Sequence, residues 1–318
     1  MRVVSLGSGS SGNSVLVEAG PNRRTKLLVD AGLSARTLTE RLGRVGVQPS
    51  QLQGVLVTHE HSDHVIGMPT LARRYGIPMI ADPLTYAAFE QSLLSGTWRT
   101  DSGALAPLDS LLNLPQTDDA LTTTENQVRL EIEHSETQLP FVAFPVGSRR
   151  TIGDIEVQSF PISHDATAPC GYLLQAGGCR VCVITDSGEV TPIMLEHLAQ
   201  ADLLILESNH DRERLLRGPY PQHLKQRILS STGHLSNAQA ADAILRTWRP
   251  DSVRWLWLAH LSRTNNTPKL ALKSMREHLT EAQVNESQLH ISASPPDMGP
   301  VWDSTQLWHT SSLWEMTR

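Results

Sequence analysis

Six consecutive residues constrain this chain more than any other stretch: His59-Glu60-His61-Ser62-Asp63-His64. They follow the apolar run Val55-Leu56-Val57 and lead into a segment with helical spacing. Three imidazoles and the Asp63 carboxylate are potential metal ligands. Such groups are costly to bury unless something binds them. The cluster therefore predicts a hydrolytic site for two metals at the end of a strand, with the remaining ligands on other strand ends.

His59 and His61, two apart on an extended turn, can face one ion. Asp63 and His64, at the start of the helix, can face a second. A hydrolytic metal takes three or four protein ligands and keeps a position open for water. Three further residues fit that need. His164 follows the strand-like run Ile155–Phe160, Asp186 ends Val181–Thr185, and His260 ends Trp255–Ala259. The expected grouping is His59, His61 and His164 on the first metal, and Asp63, His64 and His260 on the second. Asp186 bridges them, its two oxygens suited to ions about 3.5–4 Å apart. Imidazole and carboxylate donors suit zinc, and manganese or iron as well.

Around this site the chain alternates strands and helices. Arg2–Leu6, Ser14–Glu18 and Lys26–Val29 read as a meander of strands. Ser34 is a candidate cap for a helix to Leu42, and Val65–Tyr75 reads as one helix closed by Gly76. Helices over Pro192–Leu198, Gln222–Ser230, Asn237–Thr247 and Lys269–Leu279 alternate with strands Leu203–Glu207, Trp255–Ala259 and Gln288–Ser292. The pattern predicts two sheets packed face to face with helices outside, in one domain over residues 1–290. From about 95 to 139 the sequence turns polar and weakly patterned, and reads as an insertion with little structure of its own or as a lid. Residues 291–318 read as a peripheral tail.

No apolar stretch approaches the roughly 20 residues that span a bilayer. The first 20 residues hold a Gly/Ser run rather than an apolar signal core. Three cysteines, Cys170, Cys179 and Cys182, argue against a disulfide framework, and a cytoplasmic protein is expected. Cys179 and Cys182 lie three apart in a strand, so they point to opposite faces and read as core thiols. The net charge of −6 gives no general pull toward nucleic acid, although bound cations and a local basic groove can offset it. Gly7-Ser8-Gly9-Ser10-Ser11-Gly12 has dinucleotide-loop spacing, but apolar alternation resumes at Ser14, so a strand-turn-strand is expected. Trp255 and Trp257 share one strand face and read as core.

The ligand order His-x-His-x-Asp-His, His164, Asp186, His260 resembles the metallo-β-lactamase fold, and within it the YycJ/WalJ-like exonuclease branch. Ser5–Ser14, Val29–Gly32, Ser163–Ala166, Thr185–Gly188, Glu207–Asp211, Gly233–Asn237 and Ala259–Ser262 carry the resemblance. It covers about residues 1–90 and 145–285. It implies an αββα sandwich, two divalent ions, and hydrolysis of a phosphodiester in nucleic acid from the 5′ end of DNA. It also implies that the ions lower the pKa of a bridging water, while Asp63 orients the nucleophile.

Fold alone leaves a thioester, lactone or cyclic phosphodiester as the alternative substrate. Gly233-His234-Leu235-Ser236-Asn237 favours phosphodiesters. Ser236 can cap a helix whose first N–H groups attract an anion, and His234 can bond a phosphate oxygen or protonate the leaving alkoxide. Asn13 and His210 are further candidates for substrate contact. Asp30, at the end of a strand, is expected to orient a ligand imidazole.

Overall fold

The structure, a computed structural model, describes residues 1–100, 102–111 and 139–307. Alternation of apolar side chains builds its sheets. In β1 (Arg2–Gly7) Val3 turns to one face while Val4 and Leu6 turn to the other. β2 (Ser14–Ala19) and β3 (Thr25–Val29) continue the antiparallel meander. β4 (Gly54–Leu56), β5 (Met79–Ala81) and β8 (Phe141–Ala143) then add in parallel. The second sheet repeats the plan. β9 (Arg149–Ile152), β10 (Ile155–Pro161), β11 (Cys170–Ala176) and β12 (Cys179–Ile184) are antiparallel. β13 (Leu203–Glu207), β14 (Arg254–Ala259) and β15 (Leu289–Ala293) follow in parallel. Among the described residues each sheet has seven strands. No close sequence repeat accompanies this shared plan.

Three apolar layers hold the sandwich. Val3, Val17, Leu27 and Leu56 of the first sheet meet Val157, Tyr172, Val181, Ile205 and Trp257 of the second between the sheets. Leu38, Leu42 and Leu71 pack helices on the outer face of the first sheet. Ala240, Ile244, Met275 and Leu279 do so on the second. The αββα arrangement is the expected one. Cys179 faces the inter-sheet layer and Cys182 the helical layer, while Trp255 and Trp257 both pack between the sheets. Parallel strands bring their carboxyl ends to one edge, where ligands bind in open α/β sheets. β3, β4, β12, β13 and β14 lead there into Asp30, the His59 cluster, Asp186, Glu207 and His260.

Two expectations are corrected. The helix expected over Val65–Tyr75 is two, Ser62–Val65 and Met68–Tyr75. The break lies at Gly67, where a Cβ would come within 2.3 Å of Leu33 O. The tail is not wholly peripheral. β16 (Val301–Asp303) pairs with β1 as an edge strand, and Trp302 is fully buried against Trp255. A three-residue strand is too short to show alternation in sequence. Within the expected insertion, β6 (Thr97–Arg99) and β7 (Leu105–Pro107) form a hairpin and Leu108–Leu111 a helical turn, while 101 and 112–138 lie outside the described residues, as does 308–318.

Candidate metal centre

The cluster after β4 is stitched to two neighbouring turns. Thr58 N–H donates to Asp30 Oδ1 at 2.8 Å, and Asp30 Oδ2 lies 2.8 Å from His64 Nδ1. Ala31 N–H donates to His64 O, and Asn13 N–H to Asp63 O, both at 2.8 Å. Gly32 is required by this contact, because a Cβ there would lie 1.6 Å from Asp63 O. Asp30 and His260 both hold positive φ, 62° and 53°, a conformation that costs non-glycine residues energy and that clusters at functional sites.

The structure brings together the residues expected as ligands. His59, His61 and His164 offer ligand atoms within 4.8 Å of one another, as do Asp63, His64 and His260. Asp186 joins His59 and His64 in a further group, so it touches both sets. All seven are buried, none more than 6% exposed. His61 Nδ1 faces His164 Nε2 at 3.3 Å. Asp186 Oδ2 lies 3.0 Å from His64 Nε2, and Asp186 Oδ1 2.9 Å from His260 Nδ1. His260 Nε2 lies 3.3 Å from Asp63 Oδ2.

These donors fit divalent cations. His164 Nδ1 is assigned as donor to Gly233 O at 3.1 Å, which turns the Nε2 lone pair toward His61. Burial holds His164 and His61 down at about 4 and His59 well below its ordinary value, so these imidazoles keep lone pairs at neutral pH. His59 Nε2 is buried with no hydrogen-bond partner among the described residues. On the other side, Asp30 accepts from His64 Nδ1, and Nε2 faces two carboxylates. Burial alone would lower His64, but Asp30, Asp63 and Asp186 outweigh it and raise it well above the ordinary value. Burial likewise opposes the charge on His260, and Asp186, Asp63 and Glu207 override it. Lone pairs and carboxylates converging away from water demand positive charge between them.

The family profile of the metallo-beta-lactamase superfamily matches residues 7–218. This chain belongs to the metallo-beta-lactamase superfamily. The Exodeoxyribonuclease WalJ of Streptococcus pneumoniae is 36% identical over 279 residues, 88% of each chain. The Exodeoxyribonuclease YycJ of Bacillus anthracis is 37% identical over 276 residues, 87% of this chain and 88% of its own. The crystal structure of the metallo-beta-lactamase fold protein YhfI from Bacillus subtilis superposes with a TM-score of 0.59 at 18% identity, over 95% of this chain and 99% of that one. The superfamily fold implies divalent metal, in keeping with the clustered donors.

Beside the ligands stands a carboxylate that the sequence reading passed over. Glu207, the fully buried last residue of β13, accepts from Ser187 N at 2.8 Å and Leu235 N at 3.1 Å through Oε2. Its Oε1 lies 2.8 Å from His234 Nδ1 and 3.1 Å from His260 Nδ1. A charged residue ending an otherwise apolar strand was the available signal. His234 packs between His164 and His260, with ring centroids 5.2 and 5.4 Å away.

The remaining candidates sit less simply. Ser236 caps the helix Asn237–Arg246 as expected, but its hydroxyl donates to Gln239 Oε1 at 2.7 Å, and Asn237 N–H donates to His210 O. The capping box thus engages the Ser236 hydroxyl as both donor and acceptor. Asn13 turns its amide inward, with Nδ2 3.3 Å from Asp63 Oδ2 and Oδ1 accepting from Gly9 N–H. His210 is 1% exposed, and neither ring nitrogen has a partner among the described residues.

Proposed function

We propose that this chain is a metal-dependent exodeoxyribonuclease that hydrolyses DNA from the 5′ end. Two relatives of nearly equal length named exodeoxyribonuclease, at 36% and 37% identity, support the substrate. The geometric observation that carries the reaction is His234, held by Glu207 beside the ligand group. His59, His61 and His164 would hold one ion, Asp63, His64 and His260 the other, with Asp186 between them. The donor set, nitrogen and oxygen without thiolate, suits zinc or manganese. Two such ions, when bound, make water nucleophilic at neutral pH and offset the charge that develops on a phosphate.

The chain's own groups supply the rest. Asp30 fixes the His64 ring through Nδ1, and Gly233 O fixes His164 in the same way, which sets which nitrogen each presents. Asp63 orients the attacking water. Glu207 orients His234 through Nδ1, which turns Nε2 outward to hand a proton to the leaving alkoxide. A cytoplasmic location belongs to this reading. Three free, buried thiols support it, and among the described residues no helix is long and apolar enough to cross a membrane.

The test is cleavage of end-labelled, 5′-phosphorylated single-stranded DNA with zinc and with manganese. His59→Ala/Asp63→Ala serves as control. Stepwise metal-dependent loss from the 5′ end, absent in the control, is expected. His234→Ala should keep its metal and lose about 10²-fold or more in rate. Wild-type cleavage by that variant would remove His234 from the reaction, and no cleavage by loaded wild type would favour a small ester or cyclic phosphodiester.

A further inference from the structure

The β6–β7 hairpin, which opens the 95–139 segment, stands at the His164 end of the centre. Asp165 follows His164 in sequence, and its Oδ1 lies 3.5 Å from His164 Nε2. Two guanidinium groups share this one carboxylate. Arg227 holds it with two bonds, Nε to Oδ2 at 2.7 Å and Nη2 to Oδ1 at 2.9 Å. Arg99, the last residue of β6, reaches Oδ2 with Nη2 at 3.0 Å. The hairpin backbone is seated on the same cluster, since a Cβ on Gly103 would lie 2.8 Å from Arg227 Nε.

Arg227 alone satisfies both carboxylate oxygens, so Asp165 has no need of Arg99. The Arg99 side chain is 42% exposed, and Asp165 is its sole ion-pair partner among the described residues. A pair whose arginine is this exposed adds little stability. What it does is hold a guanidinium, with donors still facing solvent, one carboxylate away from a candidate ligand. A planar fork of N–H groups is suited to phosphate oxygens. The chain carries a net charge of −6, so a local cation at the mouth matters to a polyanionic substrate.

We infer that Arg99 binds a backbone phosphate next to the scissile one, and that the β6–β7 hairpin forms that wall of the nucleic-acid channel. The inference rests on the nuclease reading for its ligand class. Its role is in binding the strand, with Asp165 as the arm that aims the guanidinium.

The experiment is equilibrium binding of a 3′-fluorescein, 5′-phosphorylated oligothymidylate, read by anisotropy between 50 and 200 mM salt. All proteins carry His234→Ala, which keeps the ligand set, and bound manganese, so the strand is consumed too slowly to matter during the measurement. Adding Arg99→Ala should weaken binding about tenfold and reduce the slope of log Kd against log salt by about 0.7, one phosphate contact on a single strand. Arg99→Lys should restore the slope while recovering only part of the affinity, which separates charge from folding. Arg149→Ala, an exposed arginine paired with Glu156 on β9, should change neither. Unchanged affinity and slope in Arg99→Ala, an equal loss in Arg149→Ala, or no binding by the metal-loaded His234→Ala parent would each overturn the inference. Should wild type bind but not cleave, with Arg99 still setting the slope, the exonuclease reading fails and the Arg99 contact stands.

Discussion

Replacing Glu207 by glutamine tests how the centre is wired. Four N–H groups converge on this one side chain: Ser187 N and Leu235 N on Oε2, His234 Nδ1 and His260 Nδ1 on Oε1. A carboxylate accepts all four, whereas a primary amide keeps a single oxygen. Either orientation of the amide sets its NH2 against two donors in a site with no exposure. An unpaired buried donor costs about 1–3 kcal/mol. The Ser187 and Leu235 amides are fixed by backbone, so the oxygen stays with them and the imidazoles yield. At 1.36 kcal/mol per tenfold, the His234 share corresponds to a kcat loss of roughly 5- to 150-fold. The His260 share is smaller, because Asp186 Oδ1 still lies 2.9 Å from His260 Nδ1, so metal binding should weaken toward the lower end of the 10- to 100-fold typical of groups that orient ligands. The assay is turnover of 5′-phosphorylated DNA across a manganese titration, with bound metal counted by plasma mass spectrometry. Glu207→Gln should need more manganese and still turn over slowly when saturated. A kcat within twofold of wild type at saturating metal would refute the reasoning for His234. A shifted manganese demand alone would confine Glu207 to holding His260.

Two further outcomes follow from residues with no metal contact. Burial, with the His234 and Arg212 charges, pushes His210 down to about 3, against about 6.5 unfolded, so its unfolded form takes the proton first. The stability it permits is full above pH 6.5 and falls toward pH 3, by about 2 kcal/mol at pH 5. Urea unfolding at pH 7.5 and pH 5 should therefore show His210→Asn losing about 2 kcal/mol less than wild type across that interval, and an equal loss in both would be fatal to the idea. Gly32→Ala drives a Cβ into Asp63 O, so a melting temperature several degrees lower and poorer metal retention are expected together. An unaltered melting curve would show that the Asp63 turn can move aside.

The legible part of this molecule is the part written locally. His59, His61, Asp63 and His64 are adjacent in sequence, and the other three expected ligands each stand at the end of an apolar run, so strand patterning located them. Glu207 occupies the same kind of position, yet nothing near it in sequence shows that Ser187, Leu235, His234 and His260 close on it from three other loops. The same holds for β16, whose three residues gain meaning only by lying against β1. Backbone strain was also out of reach. Left-handed φ at Asp30 and His260 would be relieved by glycine, the residue that a rule of conformational ease would choose there. Glycine at 30 would remove the oxygen that fixes the His64 ring, and at 260 the imidazole that faces Asp63. The chain thus keeps a costly backbone where the side chain has a partner to meet. It uses glycine at 12 and 32, where neighbouring backbone leaves no room for a Cβ. That contrast ties the strain to the centre: where the loops need only to turn, glycine serves, and where they need a donor or acceptor at the turn, the fold bears the cost.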